Sequence, residues 1–118
     1  MAQHNITGRA GEEIALAFLI QQGYKFITTN FRSKVGELDI VAKNGTQIVF
    51  IEVKTRSSTA FGAPSKAITP KKLHSLIQTA EYFLRVNNLG QNYRIDAVEV
   101  LVKGSEVTSI NHIKNVTL

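Results

Sequence analysis

A chain of 118 residues is the size of one domain, and its 43% apolar content is that of a globular protein with a packed core. It contains no cysteine, which excludes disulfides, thiolate metal sites and cysteine nucleophiles. Fourteen Lys and Arg against nine Asp and Glu leave a formal charge of +5, a balance that favours polyanionic partners, nucleic acid first.

Gly8 to about Gln22 is predicted as a helix rich in Ala, Leu, Ile and Glu, closed by Gly23 as a C-terminal stop. Its apolar residues run nearly all the way round, so the expectation is a helix largely buried against a sheet. The apolar run Ile14–Ile20 is far shorter than the roughly 18 residues of a membrane span, and it follows Glu12 and Glu13 rather than the basic residues of a secretory signal. The chain is therefore read as cytoplasmic and without a membrane partner. Tyr24–Thr29 is a short strand, and Asn30–Val35 a polar, basic turn.

Glu37–Lys43 and Thr46–Thr55 are strand-like and separated by Asn44-Gly45, a pair suited to a two-residue type I′ turn. Thr55–Ser65 is rich in Ser, Thr, Gly and Pro and reads as a loop. Thr69 then caps a helix with Pro70 at its first position, and Leu73, Leu76, Ile77, Ala80, Phe83 and Leu84 follow helical spacing. Asn88 and Gly90 end it. Tyr93–Val102 is a β-branched strand, with Val107–Ile113 its hairpin partner across a turn at 103–106. The order of helix, three strands, helix and two strands indicates an α/β layered domain with a mixed sheet.

An Asn44-Gly45 turn pairs Lys43 with Thr46, Val41 with Ile48, Asp39 with Phe50 and Glu37 with Glu52. Leu38, Ile40, Ala42, Val49, Ile51 and Val53 then form one apolar face. The opposite face carries Glu37, Asp39, Val41, Ile48, Phe50, Glu52 and Lys54. Asp39 and Glu52 become diagonal neighbours, about 7–8 Å apart at the backbone, a spacing that lets two short acidic side chains converge on one cation. Mg²⁺ takes one or two carboxylates and keeps water and phosphate in its other positions, and a lysine alongside holds phosphate charge. Carboxylates on a strand are more often plain solvent-facing charges. Here their apolar neighbours argue against a simply solvated face. Glu12 offers a further carboxylate, although helical phase does not decide whether Glu12 or Glu13 points inward.

No acid occurs between Thr55 and Ala80, where Arg56, Lys66, Lys71 and Lys72 are candidates for gripping a phosphate backbone. Arg94 and Asp96 share a strand face and read as a structural pair. The three histidines have no ligand spacing and read as incidental.

The spacing of Asp39 to Glu52-Val53-Lys54 resembles the D…(D/E)-x-K signature of the restriction-endonuclease-like superfamily, with Leu38 where the usual signature has proline. Over most of its length the chain resembles the YraN family of small endonuclease-like proteins. The matching segments are Gly8-Arg9-Ala10-Gly11-Glu12, Gly36-Glu37-Leu38-Asp39-Ile40-Val41 and Phe50-Ile51-Glu52-Val53-Lys54-Thr55-Arg56. Phe61-Gly62-Ala63-Pro64, Lys71-Lys72 and Tyr93-Arg94-Ile95-Asp96 extend the match. The resemblance implies a single domain over 1–118 with an αβββαβ core, a mixed sheet flanked by helices. It also implies a divalent-metal site, Mg²⁺ or Mn²⁺, on the acid-bearing face. By analogy with archaeal Holliday-junction resolvases, Glu12 joins Asp39 and Glu52 as an acidic group, Asp39 and Glu52 hold metal, and Lys54 takes the lysine role. The expected activity is metal-dependent hydrolysis of DNA, more than RNA, on branched or structured substrates, with a homodimer suited to presenting two sites. The alternatives are a non-catalytic nucleic-acid-binding module that keeps the fold, and a scaffold protein; fold alone does not choose among them.

Overall fold

The computed structural model describes residues 7–57 and 68–117. Its elements run α1 (Gly8–Gln21), β1 (Lys25–Ser33), β2 (Gly36–Asn44), β3 (Gln47–Arg56), α2 (Pro70–Val86), β4 (Tyr93–Lys103) and β5 (Glu106–Ile113). The strands form one mixed sheet in the order β1-β2-β3-β4-β5. Only β3 and β4 are parallel, and α2 is the crossover such a pair requires. This is the α/β plan expected from the order of elements.

Each helix covers one face of the sheet. On one side Ala15, Leu19 and Tyr24 pack against Ile40, Ala42, Val49, Ile51, Val98 and Val100. On the other, Leu76, Ala80, Phe83 and Leu84 pack against Leu38, Val41, Phe50 and Ile95. Phe83 receives the rings of Phe31 and Phe50 edge-on, with centroids 4.9 and 5.8 Å away. Each such pair adds about 0.5–1.5 kcal/mol beyond its burial.

Both helices begin as their sequences predict. Thr7 Oγ1 accepts from Ala10 N, and Thr69 Oγ1 from Lys72 N, each at 3.1 Å. Helix α1, however, is not buried all round. It seats Gly11, Ala15 and Leu19 on the sheet and leaves Ile20 51% exposed, because none of the described residues covers its outer side. A Cβ at position 11 would lie 1.9 Å from Thr55 Oγ1, so glycine is what lets the helix backbone rest on β3.

Three local expectations are corrected. Strand β1 continues through Ser33, across the segment read as a basic turn. Its polar residues are tolerated there because β1 is an edge strand, with Phe31 opposite Leu38 and Arg32 opposite Glu37. In the β2–β3 hairpin, Asn44 pairs with Gln47, so the two turn residues are Gly45 and Thr46. Gly45 has φ +65° and leads the pair, as a type II′ turn requires, whereas the expected turn needed Asn44 at positive φ too. The pairing moves by an even number of residues, so Val41 and Phe50 still share a face. Finally, Leu38 packs on the α2 side rather than with Ile40 and Ala42. Alternation along β2 breaks at Asp39, where the ladder to β3 ends after Ile40↔Ile51.

Candidate functional site

That break in the ladder sets the geometry of the acids. The ladder ends at Ile40↔Ile51, short of Asp39 and Glu52, whose carboxyl groups lie near enough for Glu52 to act on Asp39. Instead of a backbone bond at that step, Val53 N donates to Asp39 Oδ2 at 2.8 Å. The Asp39 side chain thus stands in for the missing rung and is held against β3. Glu52, only 5% exposed, presents Oε2 to Lys72 Nζ at 3.4 Å, from the first turn of α2.

Two carboxylates in this space raise each other's energy. The Asp39 carboxyl is pushed up to about 7, first by burial and then by the negative charge of Glu52, against the opposing hydrogen bond from Val53. Glu12 is also raised, chiefly by burial, with the charges of Asp39 and Glu37 adding to it. Its Oε1 accepts from Asn30 Nδ2 at 3.0 Å, which draws the value down. Glu12 is half-buried and Glu13 exposed, so tertiary packing answers the question that helical phase left open.

The basic candidates separate into distinct roles. Lys54 is exposed and lies across the parallel ladder from Glu99. Arg56 Nε meets the buried Glu99 Oε2 at 2.9 Å, so its charge is directed into the fold. The contact is an ion pair of poor hydrogen-bond direction, and Arg56 Nη1 is buried without a hydrogen-bond partner among the described residues. Lys71 is exposed at the start of α2. Lys66 and the loop around it lie outside the described residues. The lysine that touches an acid of the pair is thus Lys72, which sequence reasoning had placed among the phosphate contacts. Its helical position was legible, but its meeting with Glu52 depends on how α2 docks.

Among the described residues, no three or more carboxylate or imidazole side chains are grouped to hold a metal ion. The donor set is a pair of hard oxygens, which suits Mg²⁺ or Mn²⁺ with water filling the rest of the shell.

A second polar cluster lies inside the α1 face. Asp96, fully buried, accepts from Arg94 Nε at 2.9 Å and Asn115 N at 2.9 Å, and lies 2.8 Å from His112 Nε2. Arg94 continues to Tyr24 Oη at 2.6 Å and Gln47 Oε1 at 2.7 Å. The hydrogen bonds from Arg94, His112 and Asn115 outweigh burial and leave the Asp96 carboxyl below its ordinary value. His112 is therefore a structural partner rather than incidental, its ring edge-on to Phe18 and Tyr24. No spacing rule links residues 96 and 112; the β4–β5 hairpin does.

A protein of Caldicellulosiruptor saccharolyticus is 51% identical over 110 residues, covering 92% of this chain and 93% of its own. One of Caldicellulosiruptor bescii is 47% identical over 112 residues, with the same coverage of each chain. Both are described as UPF0102 proteins. Among solved structures, Pyrococcus furiosus SfsA in complex with Ca²⁺ aligns with 92% of this chain at 14% identity and a TM-score of 0.34. This chain spans 62% of that one, and a likeness so distant adds nothing to the reading of the site. The sequence model described as Uncharacterised protein family UPF0102 matches residues 11–100, and the chain belongs to that family.

Proposed function

We propose that this domain is a Mg²⁺- or Mn²⁺-dependent nuclease that hydrolyses phosphodiester bonds in branched or otherwise structured DNA. The observation that carries the reading is the meeting of Asp39 and Glu52 where β2 leaves β3. The half-buried Asp39 beside the buried Glu52 costs the fold stability that the half-exposed Lys72 offsets only in part, which favours a use for the pair. Asp39 and Glu52 are the groups that would hold the metal. The chemistry such a cation supplies is charge stabilisation at a phosphorus centre and acidification of a nearby water.

The chain's own residues do the rest. Val53 N–H orients the Asp39 carboxylate, and Lys72 holds Glu52 from α2. Glu12, fixed by Asn30, is a third acid within electrostatic reach of Asp39, suited to orienting water or accepting its proton. Lys54, exposed one step along β3 from the pair, is suited to holding phosphate charge.

The Lys72–Glu52 contact also favours a second reading, a nucleic-acid-binding module in which an ammonium permanently replaces the metal. Cleavage of labelled duplex, single-strand, flap and four-way-junction DNA separates the two. The nuclease reading expects cleavage with Mg²⁺ or Mn²⁺ that chelator abolishes and that Asp39→Asn and Glu52→Gln each reduce by at least 100-fold, on the order of one lost electrostatic contact in a transition state. No cleavage of any substrate, with binding unchanged in both variants, overturns it in favour of the binding module. Two copies would suit a branched substrate, and light scattering of the DNA complex reads their number.

A further inference from the structure

A cleft lies between the β1–β2 turn and α2. It encloses about 620 Å³ and is lined by Arg32, Lys34, Val35, Tyr82 and Arg85, with Glu81 the one acid among its lining residues. We propose that this cleft seats a single-stranded nucleic-acid segment, with Tyr82 stacking on a base and Arg32, Lys34 and Arg85 holding the phosphates on either side. The inference rests on the nucleic-acid reading given above and names the form of strand that the same domain takes.

The chemistry of the lining selects this ligand. Tyr82 is 41% exposed although it sits beside the aromatic core, its ring centroid 6.1 Å from that of Phe31. An aromatic ring anchored on one side and open on the other is a platform for an unstacked base, which a duplex does not offer. The exposed Arg85 guanidinium lies over the Tyr82 ring, 5.7 Å from its centroid, a weak contact that it can leave for a phosphate as a base takes the ring. Arg32 reaches Glu37 at 3.2 Å, but its side chain is 79% exposed, and a surface pair this open yields to a phosphate at little cost. Glu81 is partly engaged by the Tyr93 hydroxyl, which donates to it at 3.2 Å.

The cleft is also preformed. Ser75 hydroxyl donates to the Val35 carbonyl, and Thr79 hydroxyl donates to Ser75 O at 2.8 Å. A Cβ at Gly36 would fall 2.6 Å from Ser75 Oγ and 2.8 Å from Thr79 Oγ1, so the turn is pressed directly onto α2. Its size falls in the range of about 300–1,000 Å³ that encloses small ligands, enough for a nucleotide.

The cleft leads toward the acids. Arg32 also lines an adjoining hollow of about 480 Å³ with Arg9, Glu12, Asn30 and Glu37. Glu37 lies two residues before Asp39, roughly 7 Å along β2. That stretch repels phosphate in the absence of metal, whereas the Tyr82 end attracts it. The stacking part of metal-free single-strand affinity therefore comes from the Tyr82 cleft.

Fluorescence anisotropy of a labelled oligo-dT strand and a duplex of equal length, both in chelator, tests the proposal on the full chain. Tyr82→Ala is expected to weaken single-strand binding five- to tenfold and duplex binding less than twofold, while Tyr82→Phe retains native affinity. Arg85→Gln should lower the slope of log affinity against log salt by about one. Equal binding by Tyr82→Ala and the native protein overturns the proposal. So does an equal loss in the Ala and Phe variants, or displacement of the strand by a polyglutamate peptide at lower concentration than by unlabelled oligo-dT. No cleavage is read, so a missing nuclease activity leaves a positive result standing, and a failed stacking test leaves the carboxylate reading standing.

Discussion

Asp39 is where the fold stores electrostatic tension. Its carboxyl holds a proton up to about 7, against an ordinary value of 3.8 in the unfolded chain. Between those values the folded state binds more protons than the unfolded state, so stability of the metal-free protein falls as pH rises and levels off above about 7. Thermal melts in chelator should therefore show Asp39→Asn more stable than the native protein at pH 8, by about 1–2 kcal/mol once solvent screening is allowed for. The two proteins should converge near pH 4; parallel curves across this window would show that the pair is not strained. Lys72 belongs to the same balance. Lys72→Met removes the ammonium from the buried Glu52 and should lower metal-free stability by about 1 kcal/mol, a modest figure because the lysine is half exposed. The same change should tighten Mn²⁺ binding measured by titration calorimetry, since Glu52 no longer shares its charge. Unchanged affinity would mean that ammonium and metal do not compete.

At the level of elements, the site is the product of one interrupted ladder and two docked helices. The breakdown of alternation at Asp39 moves Leu38 to the α2 core and frees the Asp39 side chain to take the Val53 N–H. Helix α1 brings Glu12 within electrostatic reach of Asp39, and Gly11 lets its backbone rest on Thr55. Gly11→Val should therefore destabilise the fold by about 1–3 kcal/mol in urea unfolding, the range of an overpacked interface. It should also weaken cleavage more than the stability loss alone explains, because Glu12 moves with the helix. A variant as stable as the native protein would show that Thr55 simply turns aside. The hairpins illustrate what local sequence can and cannot state. Asn44-Gly45 announced a two-residue turn, yet the glycine leads it instead of following. Glycine supplies the positive φ at either position, so the dipeptide marks the hairpin without fixing its register.

Among the described residues, positive charge gathers around α2, with Lys71 and Lys72 at its start and Arg85 at its end, and with Arg32 at the end of β1 and Lys34 on the turn that follows. DNA affinity should fall linearly in log–log form with added salt, and a flat dependence would count against a phosphate-binding surface. Among the described residues no helix is long and apolar enough to cross a membrane.

How much of this was readable from residues in a row follows from the range of the forces involved. Element type and order, the Thr69 N-cap and the proximity of Asp39 to Glu52 were legible. Periodicity, capping and strand alternation act over a few residues, and an even shift of register leaves a face unchanged. The end of the β2–β3 ladder at Ile40, the choice of Glu12 over Glu13, the contact of Lys72 with Glu52, the capture of Arg56 by Glu99 and the joining of His112 to Asp96 were not. Each of these depends on the angle at which a helix or strand from elsewhere in the chain is packed, and only the assembled core decides that angle.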